Sequence, residues 1–565
     1  MVSMYAVQER LEPIAREFGV TLAWEMIADE IVLRGELNAR AIEAVHAQFE
    51  AALRTLLIFS EGAPQSVVFA LANDGQPRHA ANLLVEGVGR QIGDKQLAQL
   101  EIAPIGSGPK LPSMDPILLW IDDPSVAEPE SLDLYTGVKA LAFGRYPWLM
   151  DEARQRMADR KYAAKMAELP HLRGSNLPVS IDEVPRAPAC GEGKGQSILF
   201  ALYWLDFGGA EAFALKMMEA AKAAGYTVVV TCDEAGRHRV IERAAKFADA
   251  IYLLGTCQFG GSKEQAMLGV IRRHRPTVIH IHHSWVLYRL LPALRALRLV
   301  KAVIDSTHIL EYRFGDFVSE SIRYSPYIDQ HHVISADLQQ QMIQKAAVPI
   351  EQVRLGKLHD MSRNFAPMPG KWDDADPLHV SFVGRFTQQK RPYLFVQMVQ
   401  QLIKRFGRKR FVFEAVGEGL LGPSVRALAH NLGVADAVSF LPAATPVADV
   451  LGRAHVLVIC SDNEGLTLVG FESARAQAVI ISTDVGAQRE IVAPEMLVPR
   501  HPIACVSQTV KLIGEIVQGR RDAARILAQQ DELLKANLDQ PTGTEVCLAF
   551  YNSVTSPKAL DVSAS

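Results

Sequence analysis

The chain has 565 residues, with 59 Lys and Arg against 63 Asp and Glu and a formal net charge of −4. That balance excludes a protein that coats nucleic acid, whose footprint is basic, and the length predicts roughly three or four domains. Cys190, Cys232, Cys257, Cys460, Cys505 and Cys547 show no paired spacing and read as reduced core residues of a cytosolic protein. The segment MVSMYAVQERLEPIAREF carries charges throughout and is not expected to be a secretory signal. No stretch is long and apolar enough to predict a bilayer span.

In chain order, helical patterns run over Tyr5–Phe18 and Asn38–Leu57, strand-like runs over Val67–Ala72 and Ile117–Asp122, and a charged helix over Asp151–Leu169. Residues 1–169 therefore read as a small α/β or α+β accessory domain with no motif attached to chemistry. The proline- and glycine-rich stretch 170–195 is the linker. Beyond it come a strand, Ser197–Leu205, a turn, Asp206–Glu211 (DFGGAE), a helix, Ala212–Ala224, and a second strand, Thr227–Cys232. Such a βαβ unit closes right-handed with its first turn over the carboxyl edge of the sheet. Gly208 and Gly209 let the backbone approach a ligand there, although a glycine pair alone signifies only a tight turn.

Strands are also predicted at Thr277–His283 and Ala302–Asp305. His280, His282 and His283, at a strand end, read as satisfied structural residues. With neither cysteine nor carboxylate at ligand spacing nearby, they are not expected to hold a metal. Tyr288–Val303 mixes leucines with Arg289, Arg295, Arg298 and Lys301. This suits a core helix with a basic outer face, the stronger reading, or a helix lying on anionic lipid. Lys404–Arg410 reads as a solvated turn.

Two later segments concentrate charge at strand ends. Val380–Pro392 (VSFVGRFTQQKRP) holds an apolar strand ending at Gly384, then Arg385 and Lys390 in a polar loop before the helical pattern Tyr393–Phe406. Two cations beside a helix N-terminus suit a diphosphate; in isolation they also suit a solvated loop. Farther on, the strand His455–Cys460 leads into Ser461–Val492, which places Glu464 in a loop and Glu472 in the following helix. A carboxylate there can accept hydrogen bonds from paired sugar hydroxyls; the plainer reading is two solvent-facing carboxylates at a helix start.

Together these residues resemble the GT-B glycosyltransferases of the large retaining group called family 4. In that family the nucleotide-sugar site is built from a glycine and arginine after the first strand of the C-terminal domain, a lysine a few residues on, and two glutamates with seven residues between them. Gly384, Arg385, Lys390, Glu464 and Glu472 match those positions. Val416–Gly419 (VGEG) resembles the next strand end, Gly486 with Glu490 the turn after the glutamate helix, and GGAE the loop facing the donor phosphates. His308, in DSTHILEY, resembles the cleft histidine. Two departures stand out: EGLT replaces the more frequent EGFG, and AVIIST lacks the usual preceding proline.

The resemblance implies an α/β protein of the GT-B fold, with two Rossmann-like domains facing across a cleft. Residues 196–360 would be the acceptor side and 361–540 the donor side, with Gln508–Leu538 mainly helical. Residues 541–565 would form a closing segment, helical around Ala549–Ser553, and a disordered tail after Ser556. It further implies a metal-independent retaining transferase with His308, Arg385, Lys390 and Glu464 as catalytic residues. Donor contacts would come from Gly208, Gly209, Gly384, Leu466, Thr467 and Glu472, with no cofactor beyond the nucleotide-sugar substrate. Glu464 would hold the sugar hydroxyls, Glu472 the ribose, and His308 the sugar near its anomeric carbon. The acceptor stays open among glycan, lipid-linked and protein molecules, and no nucleic-acid partner is expected. By family frequency the setting is bacterial surface polysaccharide or glycoconjugate synthesis, in the cytoplasm with peripheral contact at the inner face of the membrane. The alternative is a degenerate nucleotide-sugar-binding scaffold whose N-terminal domain recruits a protein partner.

Overall fold

Runs such as Ile198–Leu202 and Val479–Ile481 have no polar alternation, so they need apolar cover on both faces, which parallel sheets flanked by helices supply. The computed structural model describes residues 2–26, 28–31, 38–60, 65–72, 81–83, 96–104, 117–122, 143, 145–175, 196–236, 238–256, 263–309, 317–362, 370–372 and 377–555. Cys190, Cys257, the linker beyond Ser175 and the tail from Ser556 lie outside these.

The first unit packs α1 (Met4–Glu17) and α2 (Ala39–Ser60) on a sheet of β1 (Val20–Met26), β2 (Gln65–Ala72), β3 (Ala81–Leu83), β4 (Gln96–Pro104) and β5 (Ile117–Asp122). Its order is β1-β4-β2-β5-β3, antiparallel except where β2 runs beside β5. Strands β1 and β4 have no counterpart among the predicted elements, because polar residues such as Glu25 and Gln99 interrupt their apolar pattern.

Two parallel sheets follow. The seven-stranded one comprises β6 (Ser197–Leu202), β7 (Thr227–Cys232), β8 (Ala250–Leu253), β9 (Val278–His282), β10 (Ala302–Thr307), β11 (Gln330–Val333) and β12 (Val353–Leu355), ordered β8-β7-β6-β9-β10-β11-β12. The six-stranded one comprises β13 (Leu378–Val383), β14 (Phe411–Val416), β15 (Val438–Leu441), β16 (Val456–Ile459), β17 (Val479–Thr483) and β18 (Leu497–Val498), ordered β15-β14-β13-β16-β17-β18. Strand order reverses between β6 and β9 in one sheet and between β13 and β16 in the other. Ligands of open α/β sheets bind outside the carboxyl ends of strands at such reversals. Gly208 follows β6, Gly384 follows β13 and Glu464 follows β16.

Helices tie these units together. In α2, Thr55 Oγ1 accepts the Leu253 N–H at 2.8 Å and Arg40 pairs with Glu242, fixing the first unit to the seven-stranded sheet at its β8 edge. Helix α3 (Pro147–Leu172) overruns the expected boundary at 169/170. Pro170 is accommodated in its last turn because Leu169 and Leu172 pack with Val318, Ile322 and Leu338, and that burial outweighs the local cost of proline. Helix α4 (Gly209–Ala223) covers β6, and α5 (Trp285–Ala296) buries Leu287, Tyr288, Leu290, Leu291 and Leu294. Arg295 of α5 pairs with Asp329, and the helix turns its apolar face inward, as the core-helix reading expects. Among the described residues no helix is long and apolar enough to cross a membrane.

In the six-stranded half, α6 (Pro392–Phe406) and α7 (Leu468–Arg475) follow β13 and β16. Helices α8 (Pro502–Val517) and α9 (Ala523–Leu538) divide the stretch read as helical, and α10 (Gly543–Thr555) returns to the seven-stranded half. There Tyr551 is fully buried and its hydroxyl meets His280 Nδ1. Tyr551→Ala is expected to cost about 3–5 kcal/mol of stability, and Tyr551→Phe, which removes only the hydroxyl, about 1 kcal/mol. Denaturant unfolding of the full chain checks both; equal costs would show that the Tyr551 ring contributes no apolar packing.

Candidate active site

The loop after β13 starts with Gly384, whose N–H donates to the Val416 carbonyl at 3.0 Å. The turn after β14 lies against it so tightly that a Cβ on Gly417 would stand 2.0 Å from the Gly384 carbonyl oxygen. Arg385 is exposed, Phe386 is buried as an anchor, and Lys390 forms an ion pair with Glu464 from the loop after β16. That pair joins the two loops across the strand-order reversal.

Glu464 is held by its backbone as well. Gly486, in the left-handed region at φ 53°, packs so closely that a Cβ there would fall 1.8 Å from the Glu464 carbonyl oxygen. Gly465 presses on the opposite domain, where a Cβ would come 2.3 Å from the His308 carbonyl oxygen. Leu466 and Thr467 are buried beyond it, with Thr467 opening α7 and its hydroxyl 3.3 Å from Gln488 Oε1. Glu472, half-buried on α7, interacts electrostatically with Arg475. Farther along, Glu490 pairs with Lys357 and accepts the Ala336 N–H at 2.9 Å, which links the two halves.

His308 follows β10 and is buried, its ring 5.7 Å from Phe213 and 5.5 Å from His283. Its Nε2 has no hydrogen-bond partner among the described residues. Gly208 and Gly209 lie at the start of α4; a Cβ on Gly208 would meet the Glu211 carboxylate at 1.9 Å, whereas Gly209 faces open space. A cleft of about 400 Å³ gathers His308, Glu464 and Gly465 with Tyr162, Asp337 and Gln341. The other expected site residues do not line that cleft: Lys390 reaches it through Glu464, while Arg385 sits toward Glu211.

Burial sets the electrostatics. The Glu211 carboxyl is raised above its ordinary range by desolvation, opposed by its own backbone, by the Trp204 indole at 2.8 Å and by the Arg385 charge. His308 and His282 are lowered well below 6.5, by burial first and neighbouring histidines second, and burial pushes His283 and His332 down to about 4. His280 is satisfied by Tyr551 and Ser306, but neither ring nitrogen of His282 has a partner among the described residues, which corrects the reading of all three strand-end histidines as satisfied. No group of three or more His, Cys, Asp or Glu among the described residues could hold a metal ion.

Arg391, Glu211 and Tyr162 were not singled out in sequence. Arg391 and Glu211 stand inside quoted motifs but look like ordinary solvated charges, and nothing near Tyr162 marks it.

Residues 377–515 match the family described as Glycosyl transferases group 1, and residues 207–355 match Glycosyltransferase Family 4, together just over half of the chain. The chain belongs to these family 4 glycosyltransferases. A D-inositol 3-phosphate glycosyltransferase of Gordonia bronchialis is 34% identical over 129 residues, 21% of this chain and 28% of that relative. The Vi polysaccharide biosynthesis protein VipC/TviE of Salmonella typhi is 29% identical over 120 residues, 21% of this chain and 20% of its own. The match thus spans less than a third of either relative's length. Among solved structures, the pneumococcal O-GlcNAc transferase GtfA in complex with UDP and GlcNAc has a TM-score of 0.50 at 10% identity, over 64% of this chain and 99% of its own. TarM gives the same four figures. The chain shares their GT-B fold.

The buried histidines give this family 4 protein a pH signature. Unfolded, His282, His283, His308 and His332 take up protons near pH 6.5, whereas folded His283 and His332 stay neutral to about 4 and burial holds His282 and His308 well below 6.5, so their contribution to stability is lost as pH falls below 6.5. Asp233, raised by burial to about 7, works the other way: its contribution is lost as pH rises from 3.8. Among the described residues the depressed histidines, which also include His238, His274 and His280, outnumber the raised carboxyls Asp233, Glu211, Glu50 and Asp337, and this favours lower stability at pH 5 than at pH 7. Denaturant titrations at the two values check this, and equal or greater stability at pH 5 would contradict it.

Proposed function

We propose that this transferase moves a hexosyl group, with retention at the anomeric carbon, from a nucleoside diphosphate sugar to a hydroxylated acceptor in the making of a bacterial surface polysaccharide or glycoconjugate. The observation that carries the reading is the Lys390–Glu464 pair, which joins two loops at a strand-order reversal and puts Glu464 in one cleft with His308. The UDP and GlcNAc of the pneumococcal neighbour support a nucleotide-sugar donor, and the Vi polysaccharide relative supports a glycan product.

In this reading the bond between the anomeric carbon and the bridging phosphate oxygen breaks, and charge collects on the diphosphate. Arg385 and Lys390, rather than a metal ion, neutralise it. The acceptor oxygen bonds to the same face of the anomeric carbon and the leaving phosphate oxygen takes its proton, so the scheme needs no side-chain base. Glu464 turns from Lys390 to the sugar hydroxyls, which frees the ammonium group for the phosphates. Glu472 holds the ribose, and the neutral His308 ring offers hydrogen bonds near the anomeric carbon. Backbone at Gly384, Leu466 and Thr467 contacts the donor, and Gly208 together with the open side of Gly209 lets the facing loop approach its phosphates.

Diphosphate release from UDP, GDP and ADP sugars tests the assignments. Glu464→Gln is expected to lower kcat by about 100-fold or more, and Arg385→Ala to weaken diphosphate binding by about tenfold. Wild-type turnover in the first would remove the sugar-holding role, and unaltered diphosphate affinity in the second would remove the phosphate role.

A further inference from the structure

We infer that Asp151, on α3 and outside both Rossmann-like sheets, is a positioning residue for the two loops that carry Arg385, Lys390 and Glu464; the inference rests on the proposed role of those loops as the donor site. Its starting point is Arg391. This residue has φ 52° and no exposed surface. Its guanidinium donates to three carbonyls from two segments: Cys460, Ser461 at 2.7 Å and Arg500 at 2.7 Å. These carbonyls satisfy its N–H groups but carry no net charge, and a buried cation without a counter-charge is costly. Among the described residues the carboxylate within ion-pair distance is Asp151, at 3.5 Å and itself buried. Burial opposes the Arg391 charge, and Asp151 is the largest single charge favouring it.

The rest of α3 points the same way. Arg154 pairs with Asp151 and hydrogen-bonds Gln388, which lies between Arg385 and Lys390. Gln155 Nε2 donates to Asp462 Oδ2 at 3.3 Å, two residues before Glu464. The loops are also stitched to each other: the Asp462 N–H donates to the Gln389 carbonyl, and Gln389 Nε2 to the Asn463 carbonyl, both at 2.9 Å. Farther along α3, Asp159 meets Arg500 and, at 2.9 Å, His501. A helix encoded before the transferase core thus backs both donor loops at once. If Asp151 lost its charge, Arg391 would have to admit water or shift toward Asp462, and either response moves the peptide leading to Glu464.

The test uses the full chain as wild type, Asp151→Asn, Asp151→Glu and Gln155→Ala. Each is checked for folding by circular dichroism, titrated with UDP, GDP and ADP well below its thermal midpoint, and followed by amide exchange across residues 460–467. Asp151→Asn is expected to fold, to weaken nucleoside diphosphate binding by about tenfold and to speed exchange in that segment, by analogy with the cost of losing an outer-shell partner. Asp151→Glu should recover part of the affinity, and Gln155→Ala should show a smaller loss. A folded Asp151→Asn with wild-type affinity and exchange would overturn the inference, including one that merely melts earlier. Should Asp151→Asn not fold, wild-type affinity and exchange in Gln155→Ala would overturn it instead. Failure of wild type to bind any of the three nucleotides would defeat the donor-site reading itself, a result distinct from a variant matching a wild type that binds.

Discussion

A single buried guanidinium decides where the charged loops of this protein can be. Arg391 closes the loop after β13 and grips the backbone just after β16, so the carboxyl ends of two adjacent strands are tied by hydrogen bonds from one side chain. Because those strands flank the point where strand order reverses, the tie falls where an open sheet binds its ligand. Lys390, next to Arg391, meets Glu464. The site is a consequence of topology plus one desolvated charge.

Close backbone approach supplies the second constraint. Gly465 and Gly486 leave no room for a side chain, one against the His308 carbonyl and the other against the Glu464 carbonyl. The two halves therefore touch at the loop bearing Glu464, and burial beside that contact lowers the His308 and His283 rings. Such a setting strengthens whatever charge interactions a bound ligand would bring, since few waters compete with them.

Much of this was legible in the sequence because parallel strands and their glycine turns leave local marks. The strand Thr227–Cys232 is found where the apolar run puts it, and Glu472 does fall inside the helix after the Glu464 loop. What escaped depends on distance along the chain. Arg391 reads as one more solvated cation in QQKRP until Asp151, far away in sequence, is seen beside it. The helix at Asp151–Leu169 was visible as a charged helix, but its charges gave no sign that they face Gln388, Asp462, Arg500 and His501 rather than water. Strands β1 and β4 were missed for a related reason: their pairing is antiparallel and non-local, and tertiary contacts outweigh a weak local pattern.

The central claim is that the loops bearing Arg385, Lys390 and Glu464 hold a nucleoside diphosphate. Calorimetric titration of the full chain with UDP, GDP and ADP, and then with the matching sugar nucleotides, addresses it most directly. The account requires one base to bind selectively, and its sugar nucleotide to displace the Lys390–Glu464 pair and lose diphosphate slowly when no acceptor is present. A folded chain that binds none of them, or binds all three equally with no turnover of any sugar nucleotide, would contradict the account.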